Sequence, residues 1–208
     1  MKKKFLSLMM AAAVVATTSV NAFAANEKKV TNDGESVEVQ INGVVNNSND
    51  QPPAGTLSVT VPTALSFTVN KDGGFTGSDI TVTNTGTQAI EVYAYQFIDP
   101  TPEKGIIVRQ QLDAGTAKRN EVTLTLQGND AIANFDSNAG NNKGINGTAT
   151  INDDGMKIST VGTGSQNTDT LYLRGTAGNA QLEQQYISTG MSERFTLRLK
   201  IKKAPAQN

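Results

Sequence analysis

Residues Thr56 to Phe97 read TLSVTVPTALSFTVNKDGGFTGSDITVTNTGTQAIEVYAYQF. Leu57, Val59 and Val61 alternate with polar residues, as do Leu65, Phe67 and Val69, then Ile80 and Val82, then Ile90 and Val92. On a strand, successive side chains point to opposite faces. The stretch therefore predicts strands with one buried and one wet face, the pattern of antiparallel sheets. Its breaks carry turn chemistry: Pro62-Thr63, Lys71-Asp72-Gly73-Gly74 and Asn84-Thr85-Gly86-Thr87. Four strands are expected, over 56–61, 65–69, 79–84 and 89–97.

Upstream, Val37, Val39 and Ile41 alternate with Glu38, Gln40 and Asn42; Gly43 interrupts, and Val45 resumes the apolar phase. This is a strand with one apolar face. It is followed by Asn46-Asn-Ser-Asn-Asp-Gln-Pro-Pro-Ala-Gly55, which has no periodicity and reads as a flexible tether. Downstream, a short strand is expected over 105–109 and a longer one over 121–127. The Asn/Asp/Gly-rich span 128–147 reads as a loop pinned by Ala131, Ile132 and Phe135. Asn152-Asp153-Asp154-Gly155 marks a hairpin tip. A strand over 170–174, a short helix over 177–185 and a closing strand over 193–203 complete the chain. On that last strand Phe195, Leu197, Leu199 and Ile201 alternate with Thr196, Arg198, Lys200 and Lys202, as on a sheet edge guarded by cations. The fold class is all-β: an antiparallel β-sandwich, Ig-like or jelly-roll in style, with an N-terminal strand on a flexible tether.

The first residues form a secretory signal: a basic Lys2-Lys3-Lys4 start, an apolar run from Phe5 to Val15, and Ala22-Phe23-Ala24 as a cleavage site. The expected organisation is a signal peptide over 1–24, an N-terminal strand and linker over 25–55, a sandwich over 56–203 and a tail over 204–208. Without its three lysines the formal charge moves from −1 to −4. That acidity argues against nucleic acid or an anionic membrane surface as partner. No cysteine is present, so the fold depends on its core and its sheets. No apolar tail or LPxTG motif suggests an anchor, and the address is expected to be extracellular or at the cell surface.

Catalytic chemistry is sparse. The chain has no histidine and no cysteine, which removes the usual general base and the thiol nucleophile. Asp153, Asp154 and Glu183 are the carboxylates considered for glycoside hydrolysis, but adjacent acids at a hairpin tip are ordinarily solvated turn residues. Asp136-Ser-Asn138-Ala-Gly140 and Asn152-Asp153-Asp154-Gly155 offer oxygen ligands, yet neither has the Asp-x-Asp-x-Asp-Gly core and closing Glu of a calcium loop. Carbohydrate binding on Tyr93, Tyr95 and Tyr172 is a weaker expectation, since the chain has no Trp. No enzyme activity, metal or cofactor is expected.

The tethered strand carries the functional expectation. Val37, Val39, Ile41, Gly43 and Val45 are the candidate assembly residues. The strand can pair within its own domain or complete the sheet of a neighbour by strand addition. The second arrangement is head to tail and propagates as a fibre. Gly43 is expected to admit close approach of the receiving backbone. Deleting 25–45 is expected to abolish polymers and leave a soluble domain.

The run from Gly55 has the form G-T-L-x-V-x-V-P-T-x-L-x-F-x-V, then a Gly-rich turn and D-I-x-V-x-N-x-G over Asp79–Gly86. Residues 55–97 resemble the TasA/camelysin-like family of secreted Gram-positive β-sandwich biofilm matrix proteins, including its clostridial BsaA-like branch. The resemblance implies a fibre subunit whose partners are copies of itself, assembled through an N-terminal strand.

Overall fold

In the computed structural model, residues 27–29, 36–45, 60–62, 64–86, 88–138, 143–181 and 190–205 are described. Fifteen strands are assigned among them: β1 (Glu27–Lys29), β2 (Ser36–Val45), β3 (Thr60–Pro62), β4 (Ala64–Val69), β5 (Phe75–Gly77), β6 (Asp79–Thr83), β7 (Ile90–Ile98), β8 (Ile107–Val108), β9 (Glu121–Gln127), β10 (Ile132–Phe135), β11 (Ile145–Gly147), β12 (Ile151–Asn152), β13 (Gly155–Val161), β14 (Thr168–Ala177) and β15 (Met191–Lys203). The period-two pattern is realised directly. In β9, Val122, Leu124 and Leu126 are fully buried while their neighbours are not. In β15, Phe195, Leu197, Leu199 and Ile201 point inward.

Two sheets pack face to face. One is seven-stranded in the order β12-β13-β7-β15-β2-β4-β5; the other is six-stranded, β11-β10-β9-β14-β6 with β8 beside β9. β1 and β3 form a small separate ribbon. The core between the sheets is mainly aliphatic and includes five phenylalanines in a continuous stack. Phe75, Phe67, Phe195, Phe97 and Phe135 follow one another with centroid separations of 5.2, 6.4, 5.4 and 4.9 Å. The chain changes sheets between β5 and β6. Ser78 pins that corner by accepting the Ser66 N–H at 3.0 Å and donating its hydroxyl to the Ser66 carbonyl at 3.0 Å.

Several sequence expectations change. β15 is not an edge: it pairs antiparallel with β7 on one side and β2 on the other. Its outward cations find partners on neighbouring elements instead of facing an open edge. Residues 128–147 contain β10 and β11, whose inward Ala133, Phe135 and Ile145 are too few to create a visible alternation. β14 extends to Ala177 where a helix was expected, and Ala180 forms a bridge with Lys118. The remainder of that expected helix, with Glu183, and the signal segment lie outside the described residues. The hairpin does form: Asn152 pairs with Gly155, whose φ of 97° suits glycine.

Candidate assembly site

The N-terminal strand lies inside the seven-stranded sheet of its own chain. β2 runs antiparallel to β15, pairing Ser36 with Lys200 through to Val45 with Met191. It runs parallel to β4, pairing Gln40 with Ala64 through to Val45 with Val69. The site is therefore a slot with two walls, β4 and β15, and β2 is its filling. This is the pairing that the sequence left open between the strand's own domain and a neighbour.

Of the predicted assembly residues, Val39, Ile41 and Gly43 share the inward phase of β2. Val39 faces Leu197, and Ile41 sits between Phe195 and Leu65; both are fully buried. Burying two such side chains contributes roughly 3–6 kcal/mol gross. Val37 and Val45 hold the ends of the ladder opposite Leu199 and Met191. Gly43 lies between Glu193 and Phe67. A Cβ built on it would come within 2.3 Å of the Phe67 Cζ and 2.6 Å of Cε1. Gly43 thus makes room for a ring, not for a backbone as expected. Phe67 lies over Gly43 and stacks on Phe195 from the far wall. A Cβ built on Gly175 of β14 would meet the Thr123 carbonyl oxygen at 2.2 Å and the Phe75 Cε2 at 2.7 Å, so this glycine makes room for a neighbouring backbone as well as for a ring. The stacked Phe67/Phe75 pair is held between two glycines of opposite sheets.

The wet side of the slot is tied by Arg198. Its Nη2 lies 2.7 Å from Glu38 of β2, and its Nη1 donates to Gln96 of β7 at 2.9 Å. Both members of the ion pair are well exposed, so it aligns the strand more than it stabilises it.

At the far end of the slot, Glu193 points inward, opposite Gly43. Its carboxylate accepts the Ile106 N–H at 2.6 Å and the Thr101 hydroxyl. Burial pushes its pKa up against those two bonds, and the nearby Asp99 carboxylate adds to the rise. The Asp99 Oδ2 is buried and has no hydrogen-bond partner.

The other residues weighed from sequence are not gathered into a site. Tyr93 and Tyr95 are on β7 and Tyr172 on β14, so they belong to different sheets and form no common platform. Tyr93 is buried and donates to Glu91 at 2.7 Å; burial and that acceptor push its pKa up to about 12. Lys143 and Lys200 lie 3.9 and 5.1 Å from the Tyr95 ring centroid, and Lys143 leads in holding that phenol's pKa below its ordinary value. Asp154 receives Lys200 at 2.8 Å and Lys202 at 2.5 Å, which hold its pKa down. It is a clasp between the hairpin tip and β15. Asp136 and Asn152 each accept the N–H two residues on, at 2.8 Å, so each opens a side-chain turn.

Phe67 is the slot residue that sequence reasoning missed. The interruption at Gly43 marked a space, but nothing in a linear sequence says that Phe67 is the neighbour that fills it. No family model matches the chain, and no match was found among curated proteins or solved structures.

Proposed function

We propose that this chain is a secreted structural subunit that assembles head to tail into extracellular fibres of a biofilm matrix. Each copy lends residues 36–45 to the slot of the next. It has no catalytic role in this reading. The observation that carries it is the placement of β2: an interior strand, parallel to β4, separated from the domain by the segment 46–59.

Parallel pairing is the informative detail. A strand parallel to its neighbour cannot be joined to it by a tight turn and needs a long crossover. β2 leaves its slot at the Val69 end, whereas its own domain resumes at the Ala64 end. An exchanged strand therefore emerges from one copy where the next copy begins. The copies line up along the strand direction as an open series, not as a closed pair. Exchange keeps the same contacts, so protein concentration and tether closure decide the balance. Export is supported by the signal-like residues 2–24, and the matrix role by the resemblance of residues 55–97.

The absence of native cysteine makes a direct test simple. Residues 42 and 194 face one another across β2 and β15. In an Asn42→Cys/Arg194→Cys protein, oxidation under assembly conditions should yield a covalent ladder on a denaturing gel. A disulfide confined to single chains at every concentration rejects the exchange.

One observation favours a second reading, a monomeric surface adhesin or carbohydrate-binding module. A cleft of about 940 Å³ at one rim of the sandwich is lined by uncharged groups, among them Gln88, Asn129, Thr160 and Gln166. Asn84 braces its walls, donating to the carbonyls of Gln88 at 2.8 Å and Gly162 at 2.7 Å. Saturable binding of a neutral oligosaccharide by a protein that stays monomeric, lost on Gln166→Ala, would favour this reading.

A further inference from the structure

We infer that Phe67 reads for glycine: the slot between β4 and β15 takes an extended, apolar-alternating segment only when glycine stands level with this ring. The chemical class of ligand is thus defined by one missing side chain. The fitting occupant is β2, from the same chain or from a second copy. Where the occupant is a second copy, the inference rests on the exchange proposed above; for the chain's own strand it does not.

The ring cannot step aside. Phe67 has no exposed surface and is boxed by Phe75 at 5.2 Å and Phe195 at 6.4 Å. Any side chain at position 43 begins with a Cβ 2.3–3.1 Å from three ring carbons. A tightly packed interior does not absorb such an overlap without displacing its neighbours.

The same notch fixes register. A strand that keeps its apolar face inward slips only in steps of two residues. One step places Ile41 level with Phe67 and the opposite step places Val45 there, so both bring a branched side chain into the ring. Backbone hydrogen bonds are indifferent to such a slip, because every rung of the ladder is alike. The alternating Val37, Val39 and Ile41 are nearly so, being similar in size. Gly43 is the feature that distinguishes one register from the next.

The test moves the notch. In the native register position 42 faces Arg194; with the strand slipped so that position 41 meets Phe67, position 42 faces Ser192. Disulfide formation from Asn42→Cys is compared for two partners, Arg194→Cys and Ser192→Cys, counting links within and between chains together. The parent strand should link to position 194. With Ile41→Gly/Gly43→Val the link should transfer to position 192. Gly43→Val alone should lower the yield at 194 by about tenfold or more, and Phe67→Ala should restore it. A transplanted strand that still links to 194, or to neither position, overturns the inference. So does a Gly43→Val strand that links like the parent, or one that Phe67→Ala fails to rescue. Whether links join one chain or two bears on the exchange alone, so the two ideas fail separately.

Discussion

Glu193 and Phe67 occupy the inner face at one end of the same slot and make opposite demands. Phe67 is fully buried within a stack of rings, and Phe67→Ala should cost about 3–5 kcal/mol, read from denaturant midpoints at constant m-value. Glu193 brings a carboxylate to a place that disfavours charge, which raises its pKa above the ordinary 4.5. An acid of that kind contributes its stability below its unfolded pKa and loses it as pH rises through the folded one. Glu193→Gln removes this loss while keeping an acceptor for Ile106 and adding a donor near the unpartnered Asp99 oxygen. The variant should melt above the parent at pH 7, with the gap closing near pH 4. An equal shift at both pH values would show that packing, not ionisation, is responsible.

β9 was legible because it alternates without interruption on its inner face and ends where Gly128 breaks the pattern, and β2 and β15 because their inner faces are broken only at Gly43 and at Glu193. What alternation cannot report is which strand lies alongside. β15 looked like a guarded edge since Arg198, Lys200 and Lys202 would serve there equally well. Their acceptors, Glu38 and Asp154, are distant in sequence. The site was half legible for the same reason: the donor residues lie on one continuous segment, whereas the walls come from β4 and β15, far apart in the chain. Because β2 is interior, deleting 25–45, expected from the sequence to leave a soluble domain, should leave a sheet interrupted between β15 and β4. The deletion removes three ladders, β1–β3, β2–β15 and β2–β4, and roughly 3–6 kcal/mol of gross apolar burial at Val39 and Ile41, a large part of a typical stability of about 5–15 kcal/mol. The truncated protein should lose its cooperative transition, and a peptide of residues 34–47 should restore it. Full cooperativity without peptide would mean that the slot closes on itself.

For the molecule as a whole, under the exchange proposed above the segment 46–59 would set the balance between a closed monomer and an exchanged series. Fully extended it reaches roughly 45–50 Å, against about 20 Å for the return along β4. Counted to Ala64, deleting 47–59 leaves about 17 Å, with nothing to spare for clearing the sheet. Monomer should then disappear in light scattering while larger species accumulate; a shortened chain that stays monomeric and equally stable would sink the exchange. Lateral growth is poorly served at three of the four sheet margins, where β12, β5 and β11 have only two or three residues each, while the fourth, β6, has five. The place of β2 beside β15 also has a consequence in time. Synthesis delivers the N-terminus first, so the first long strand to emerge must wait for the last, residues 191–203, before its slot has a second wall. Throughout that interval its apolar face has nowhere of its own to go. Under the proposed exchange, the order of arrival would leave each new chain with an unfilled pairing for this strand until its last strand is made.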